Sequence, residues 1–165
     1  MTSDEVLVSL RKIIRALNLE SKRIQKEFGV SIPQMLCLNF LNQAPDFQAN
    51  TKQLSEGLTL NPSTISGIVS RLAQKGYVSR LPKSGDKRVS TIILTASGAR
   101  LLKNTPKLFH EKLDERLSKL SEEQLFKIKD GLNLLISLLE VDKIDASPML
   151  TTEFSPKIDE GTSGQ

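Results

Sequence analysis

Between Glu5 and Phe28 the apolar residues recur as Val6/Leu7, Leu10, Ile13/Ile14, Leu17, Ile24 and Phe28, the three- and four-residue spacing of one helix face. Gly29 supplies a stop, because glycine best tolerates the left-handed backbone of a helix C-cap. Ser31, with Gln34 three residues on, reads as a capping box that opens a second helix through Gln43. That helix is apolar on most sides (Ile32, Met35, Leu36, Cys37, Leu38, Phe40, Leu41), so it is expected deep in the core. Ala44-Pro45-Asp46 closes it.

The pattern then shortens. Helical stretches are predicted from about Thr51 to Leu58 and from Pro62 to Lys75, joined by Thr59-Leu60-Asn61, the length of a helix-turn-helix connection. Asn61 suits an N-cap and Pro62 the first helical position, where its missing N–H is not needed. Gly76 ends the helix. Tyr77–Leu81 and Arg88–Leu94 read as two strands, and Lys83-Ser84-Gly85-Asp86-Lys87 as the hairpin tip between them. Thr95 is predicted to cap a long helix running to about Leu120 and kinked by Pro106. Ser121 and Gln124 form another capping box, opening a last helix with Leu125, Ile128, Leu132, Leu135 and Leu139 on one face. From Val141 the periodicity stops, and the acidic, Ser-, Thr- and Pro-rich remainder is expected to be disordered.

The fold class predicted from these elements is mainly α with a small β-hairpin wing. One domain is expected over residues 1–141, with a winged helix-turn-helix lobe at about 48–98, long helices at about 4–28 and 96–141, and a tail at 142–165. A chain of 165 residues is long enough to bury a core without disulfide staples. Its single cysteine points to a reducing cytoplasm, and its acidic start, Met1-Thr2-Ser3-Asp4-Glu5, is not that of a signal peptide. No apolar run approaches the roughly 20 residues of a membrane span, so no membrane partner is expected.

Charge changes the picture more than composition does. The net charge is only +4, yet residues 51–100 hold eight basic and two acidic side chains, while 141–165 hold two and five. A basic segment of this kind is the footprint of a phosphate-contacting element. On the Pro62–Lys75 helix, Ile65, Ile68/Val69 and Leu72 share the core face, and Ser63, Ser66/Gly67, Ser70 and Gln74 the opposite one. Solvated helix faces favour Glu, Lys and Arg; this one is small and hydroxyl-rich, which lets a helix approach a major groove closely. On the hairpin, Lys83, Lys87 and Arg88 crowd the tip. Arg88 suits a narrow minor groove, with Asp86 placed to orient it. The candidate DNA-binding residues are therefore Asn61, Ser63, Ser66, Gly67, Ser70 and Arg71 on the helix, and Lys83, Asp86, Lys87 and Arg88 on the wing.

Asn61-Pro-Ser-Thr-Ile-Ser, Val69-Ser-Arg-Leu, Lys75-Gly-Tyr-Val-Ser-Arg80, Asp86-Lys-Arg88 and Leu94-Thr-Ala-Ser-Gly98 together resemble the MarR (multiple antibiotic resistance regulator) signature. The resemblance implies a homodimeric winged-helix regulator whose terminal helices form the dimer interface. It implies that Ser63, Thr64, Ser66 and Ser70 face the major groove of double-stranded DNA and that Arg88 reaches the minor groove. It also implies a repressor released from a pseudo-palindromic operator by a small apolar or aromatic effector. Gly67 departs from the pattern, standing where many relatives carry a long basic or polar residue. Readout is then expected to lean on the wing, phosphates and DNA shape.

Other chemistry finds little support. Cys37 lies among apolar residues with no neighbouring cation and is expected to be a buried structural thiol. His110 is the only histidine, and no His/Cys cluster, Walker-type loop, dinucleotide turn or Ser-His-Asp set is present. No metal, cofactor or enzymatic activity is expected. A reading of a different class remains open at this point: a winged-helix module that binds protein partners and uses DNA weakly or not at all.

Overall fold

The helix expected to be apolar on most sides is the hub of the molecule. In the computed structural model, which describes residues 2–82 and 90–143, this helix, α2 (Ile32–Gln43), buries Met35, Leu36, Cys37, Leu38, Phe40 and Leu41. Its capping box is formed: the Ser31 N–H donates to Gln34 Oε1 at 3.0 Å and the Gln34 N–H to Ser31 Oγ at 3.4 Å. Around it pack α1 (Ser3–Phe28), α3 (Thr51–Leu58), α4 (Pro62–Gln74) and α5 (Ala96–Asn104). Gly29 caps α1 with a left-handed backbone, φ 67°, as its position predicts.

The sheet has three antiparallel strands in the order β1-β3-β2, where β1 is Gln48–Asn50, β2 Val78–Pro82 and β3 Ser90–Leu94. Register follows the two-residue period: Ala49 opposite Ile92 and Val78 opposite Leu94 put four buried apolar residues toward the helices. The sequence pattern gave no sign of β1, because three residues with one buried alanine carry no periodicity. Its function is to lead directly into Asn50, which caps α3 by accepting from the Gln53 N–H at 2.8 Å.

Chain packing divides at residue 106, and the second unit is described over 107–143. It contains α6 (Phe109–Leu117) and α7 (Glu122–Leu138). The predicted single helix from Thr95 to Leu120 is corrected here: Pro106 breaks it rather than kinking it. Thr105 takes extended backbone (φ −87°, ψ 131°), as a residue before proline prefers, and the helix restarts only at Phe109. Ser121 caps α7 as expected. The predicted tail lies outside the described residues from 144 onward.

Two helices carry apolar faces that their own unit does not cover. On α1 only Ile24 is buried, while Val6, Leu7, Ile13 and Ile14 are exposed by 41–52%. On α7 no residue is buried, and Ile128, Leu132 and Leu138 are exposed. Among the described residues no helix is long and apolar enough to cross a membrane.

Close packing between α2 and α3 gives a sharp test of the core. A Cβ at Gly57 would fall on the buried Phe40 ring. Overpacking of that kind costs about 1–3 kcal/mol, offset in part by the better helix propensity of alanine. Gly57→Ala is expected to lower the urea midpoint by a net loss of about 1–2 kcal/mol with an unchanged m-value; unchanged stability would show that the ring has room to move.

Candidate nucleic-acid interface

The helix-turn-helix is held by a few local bonds. At the turn, Thr59 adopts left-handed backbone (φ 47°), a conformation uncommon outside glycine. The Leu60 N–H donates to the Ser55 carbonyl at 3.0 Å, and the Ser55 hydroxyl donates to the Leu60 carbonyl. Leu54 and Leu58 of α3 are buried, as are Ile65, Ile68, Val69 and Leu72 of α4. This fixes which way α4 faces.

The opposite face matches the predicted one. Asn61, Ser63, Thr64, Ser66, Ser70, Arg71 and Gln74 are exposed and Gly67 is half-buried. At its start, Asn61 Oδ1 accepts from the Thr64 N–H at 2.8 Å, the Ser63 hydroxyl at 2.6 Å and the Thr64 hydroxyl at 2.9 Å. Asn61 is thus the N-cap, and three candidate side chains form one polar knot at the tip of α4.

The far end of α4 is tied to both α1 and α5. Gly76 is left-handed (φ 73°), and the Tyr77 N–H reaches back to the Leu72 carbonyl at 3.0 Å. The Thr95 hydroxyl donates to the Gly76 carbonyl at 2.7 Å and accepts from the Gly98 N–H at 3.1 Å, while the Thr95 N–H donates to the Tyr77 carbonyl at 3.1 Å. One side chain therefore joins the end of α4 to the first turn of α5. Gly98 lies so near the Tyr77 carbonyl that no Cβ fits. From the other side, Lys75 Nζ donates to the carbonyl of Gly29, at the C-terminus of α1. The Leu94-Thr-x-x-Gly98 stretch is, physically, this clamp.

Of the wing, β2 and the β3 strand are described; the candidates Lys83, Asp86, Lys87 and Arg88 lie outside the described residues. The candidate set omitted Arg80. It lies on the same face of β2 as Val78, toward the helices, and its Nη2 donates to the Ser66 carbonyl at 3.5 Å. Strand alternation from Val78 was the signal available for it. Lys75 was likewise not selected, since its partner lies 46 residues away. Cys37 is fully buried, and loss of hydration raises its thiol from 9.0 to about 12, so no thiolate forms near neutrality. Among the described residues no group of three His, Cys, Asp or Glu side chains could hold a metal ion.

Comparison with known proteins gives the same picture. The model of the MarR family matches residues 30–90. The HTH-type transcriptional repressor YetL of Bacillus subtilis is 30% identical over 121 residues, covering 73% of this chain and 72% of YetL. The HTH-type transcriptional regulator YfiV of the same organism is 26% identical over 136 residues, covering 82% and 84%. Among solved structures, the DNA complex of MepR from S. aureus superposes with a TM-score of 0.61 at 23% identity, covering 83% of this chain and 98% of MepR. The fold is therefore that of a winged helix with flanking helices.

Two outcomes test the description. Thr95→Val removes a cap and the tether to Gly76 together, and is expected to cost about 1–2 kcal/mol in urea unfolding, with Thr95→Ser restoring most of it. For Cys37, the unfolded thiol ionises near 9.0 and the folded one near 12, so its contribution to stability is complete below pH 9 and is lost as the pH climbs toward 12. At pH 8 the native protein should resist iodoacetamide while the denatured chain is alkylated; rapid native labelling would contradict this burial.

Proposed function

This chain belongs to the MarR family of transcriptional regulators, and on that premise we propose that it acts in the cytoplasm as a homodimeric repressor of a pseudo-palindromic operator, released by a small apolar or aromatic effector. The observation that carries the reading is the exposed face of α4. It has hydroxyls, a glycine and a glutamine, no carboxylate and no bulky apolar residue, and it is set in place by four buried side chains on the reverse. Such a face fits the floor of a major groove.

We assign DNA contact to Asn61, Ser63, Thr64, Ser66, Gly67, Ser70 and Arg71 on the helix and to Lys83, Asp86, Lys87 and Arg88 on the wing. The lobe at about 48–98 does the reading, and the helices on either side of it hold two lobes together. Support for the dimer comes from the uncovered apolar residues of α1 and α7, which a second copy would bury. Two-fold symmetry then sets the recognition helices about 34 Å apart, one turn of DNA. An effector that binds better to a dimer with a different spacing shifts the population away from the operator-competent form. The relatives it matches are regulators, so no catalysis enters this reading.

Salt dependence tests the reading. Operator affinity is expected to fall steeply with salt, and Arg88→Ala should flatten the logarithmic slope by about one. Ser66→Glu should abolish binding while sedimentation still shows a dimer. Retained affinity in Ser66→Glu would remove α4 from the groove, and binding indifferent to salt would favour a protein-interaction module instead.

A further inference from the structure

Gly67 lies at the centre of the α4 face, in a helix interior where glycine is less favourable than alanine. The fold itself does not demand it. Its backbone is helical, and a Cβ built there meets only Arg71 Nη2, at 3.7 Å, an ordinary van der Waals distance. What occupies the space is therefore the guanidinium of Arg71, lying back across residue 67 from one turn further along the helix. A second guanidinium, that of Arg80, touches the neighbouring Ser66 carbonyl. Among the described residues neither arginine has a carboxylate partner. Two exposed cations thus converge on one stretch of helix backbone, with no carboxylate among the described residues to meet them.

We propose that Arg71 is the specificity-determining side chain of the recognition helix, reading a guanine edge from the place that a side chain at 67 would otherwise fill. The chemistry is that of the guanidinium fork, whose parallel N–H groups match the O6 and N7 acceptors of guanine in the major groove. Ser63, Ser66 and Ser70 are too short to reach past their own turn, so they bring the helix close while Arg71 spans the remaining gap. Gly67 leaves the guanidinium free to settle against the helix instead of being pushed off it. Arg80 keeps a second positive charge beside the same site, which favours an electronegative guanine edge over the amino-bearing edge of cytosine. This rests on the regulator reading above and goes beyond it by naming the base class and the residue that reads it.

The experiment is selection from random duplex DNA with the full-length protein, followed by affinity measurements on the selected operator and on its single-base variants. The wild type should select a guanine at one position per half-site. Arg71→Ala should lose roughly tenfold or more of the discrimination at that position and keep it elsewhere. Gly67→Leu should do the same with Arg71 present, because the larger side chain displaces the guanidinium. Both sites are on the surface, and sedimentation and circular dichroism would verify that the variants remain folded dimers. A uniform loss of affinity in Arg71→Ala, with base preferences unchanged, would make Arg71 a phosphate contact and overturn the proposal alone. An unaltered preference in Gly67→Leu would overturn it as well. A wild type that selects no sequence would bring down the regulator reading and this proposal together.

Discussion

Beyond its buried apolar face, the recognition helix is held to the rest of its unit by three residues at its C-terminal end. Lys75, Gly76 and Tyr77 are bonded to α1 through the Gly29 carbonyl and to α5 through Thr95. The Lys75 ammonium sits where the carbonyls of α1 are unsatisfied and the helix dipole is negative, so position and charge agree. Thr95 uses its hydroxyl both as donor and as acceptor, which leaves it no freedom to rotate away. The other end of α4 has its own cap and the adjoining turn bonded to Ser55. A rigid turn of the lobe about this clamp would carry the recognition helix with it as a lever.

That lever gives the proposed dimer a means of control. Thirteen residues at 1.5 Å each make α4 about 20 Å long. A rotation of roughly 10° at the clamp therefore displaces the Asn61 end by about 3 Å, close to the 3.4 Å rise of one base pair. In the proposed dimer, small resettings of α1 or α5, the helices to which the clamp is bonded, would then take two lobes out of register with an operator. No bond within the lobe need break for this to happen, because the apolar face of α4 and the Thr59 turn move with it.

The sequence made most of this architecture legible, and the exceptions share a cause. Periodicity and caps located α1, α2, α3, α4 and α7 to within a residue or two, because each has an apolar stripe with a chemical stop beside it. The face of α4 was legible for the same reason: helical spacing assigns Ser63, Ser66 and Ser70 to the side opposite Ile65 and Leu72. Less accessible were features set by contacts distant in sequence or too short to show a period. Strand β1 has one buried residue. Lys75 and Arg80 are surface cations until their carbonyl partners are known. Pro106 is plain in the sequence, but whether it kinks or breaks a helix depends on the residue before it, and the extended backbone of Thr105 ends α5 there.

The knot at Asn61 bears on where affinity comes from. In the free protein the Ser63 and Thr64 hydroxyls already have a partner in Asn61 Oδ1, so a bond to DNA replaces an existing bond rather than satisfying an empty donor. Exchanges of this kind contribute only about 0.5–1.5 kcal/mol each in net terms. The basic side chains other than Arg71 differ, because contact with phosphate releases counterions from the duplex and contributes to binding at every sequence. The hydroxyl face is therefore better suited to excluding wrong geometries than to supplying affinity. It is small enough to let α4 settle into the groove, and the cations around it hold the complex together once it has.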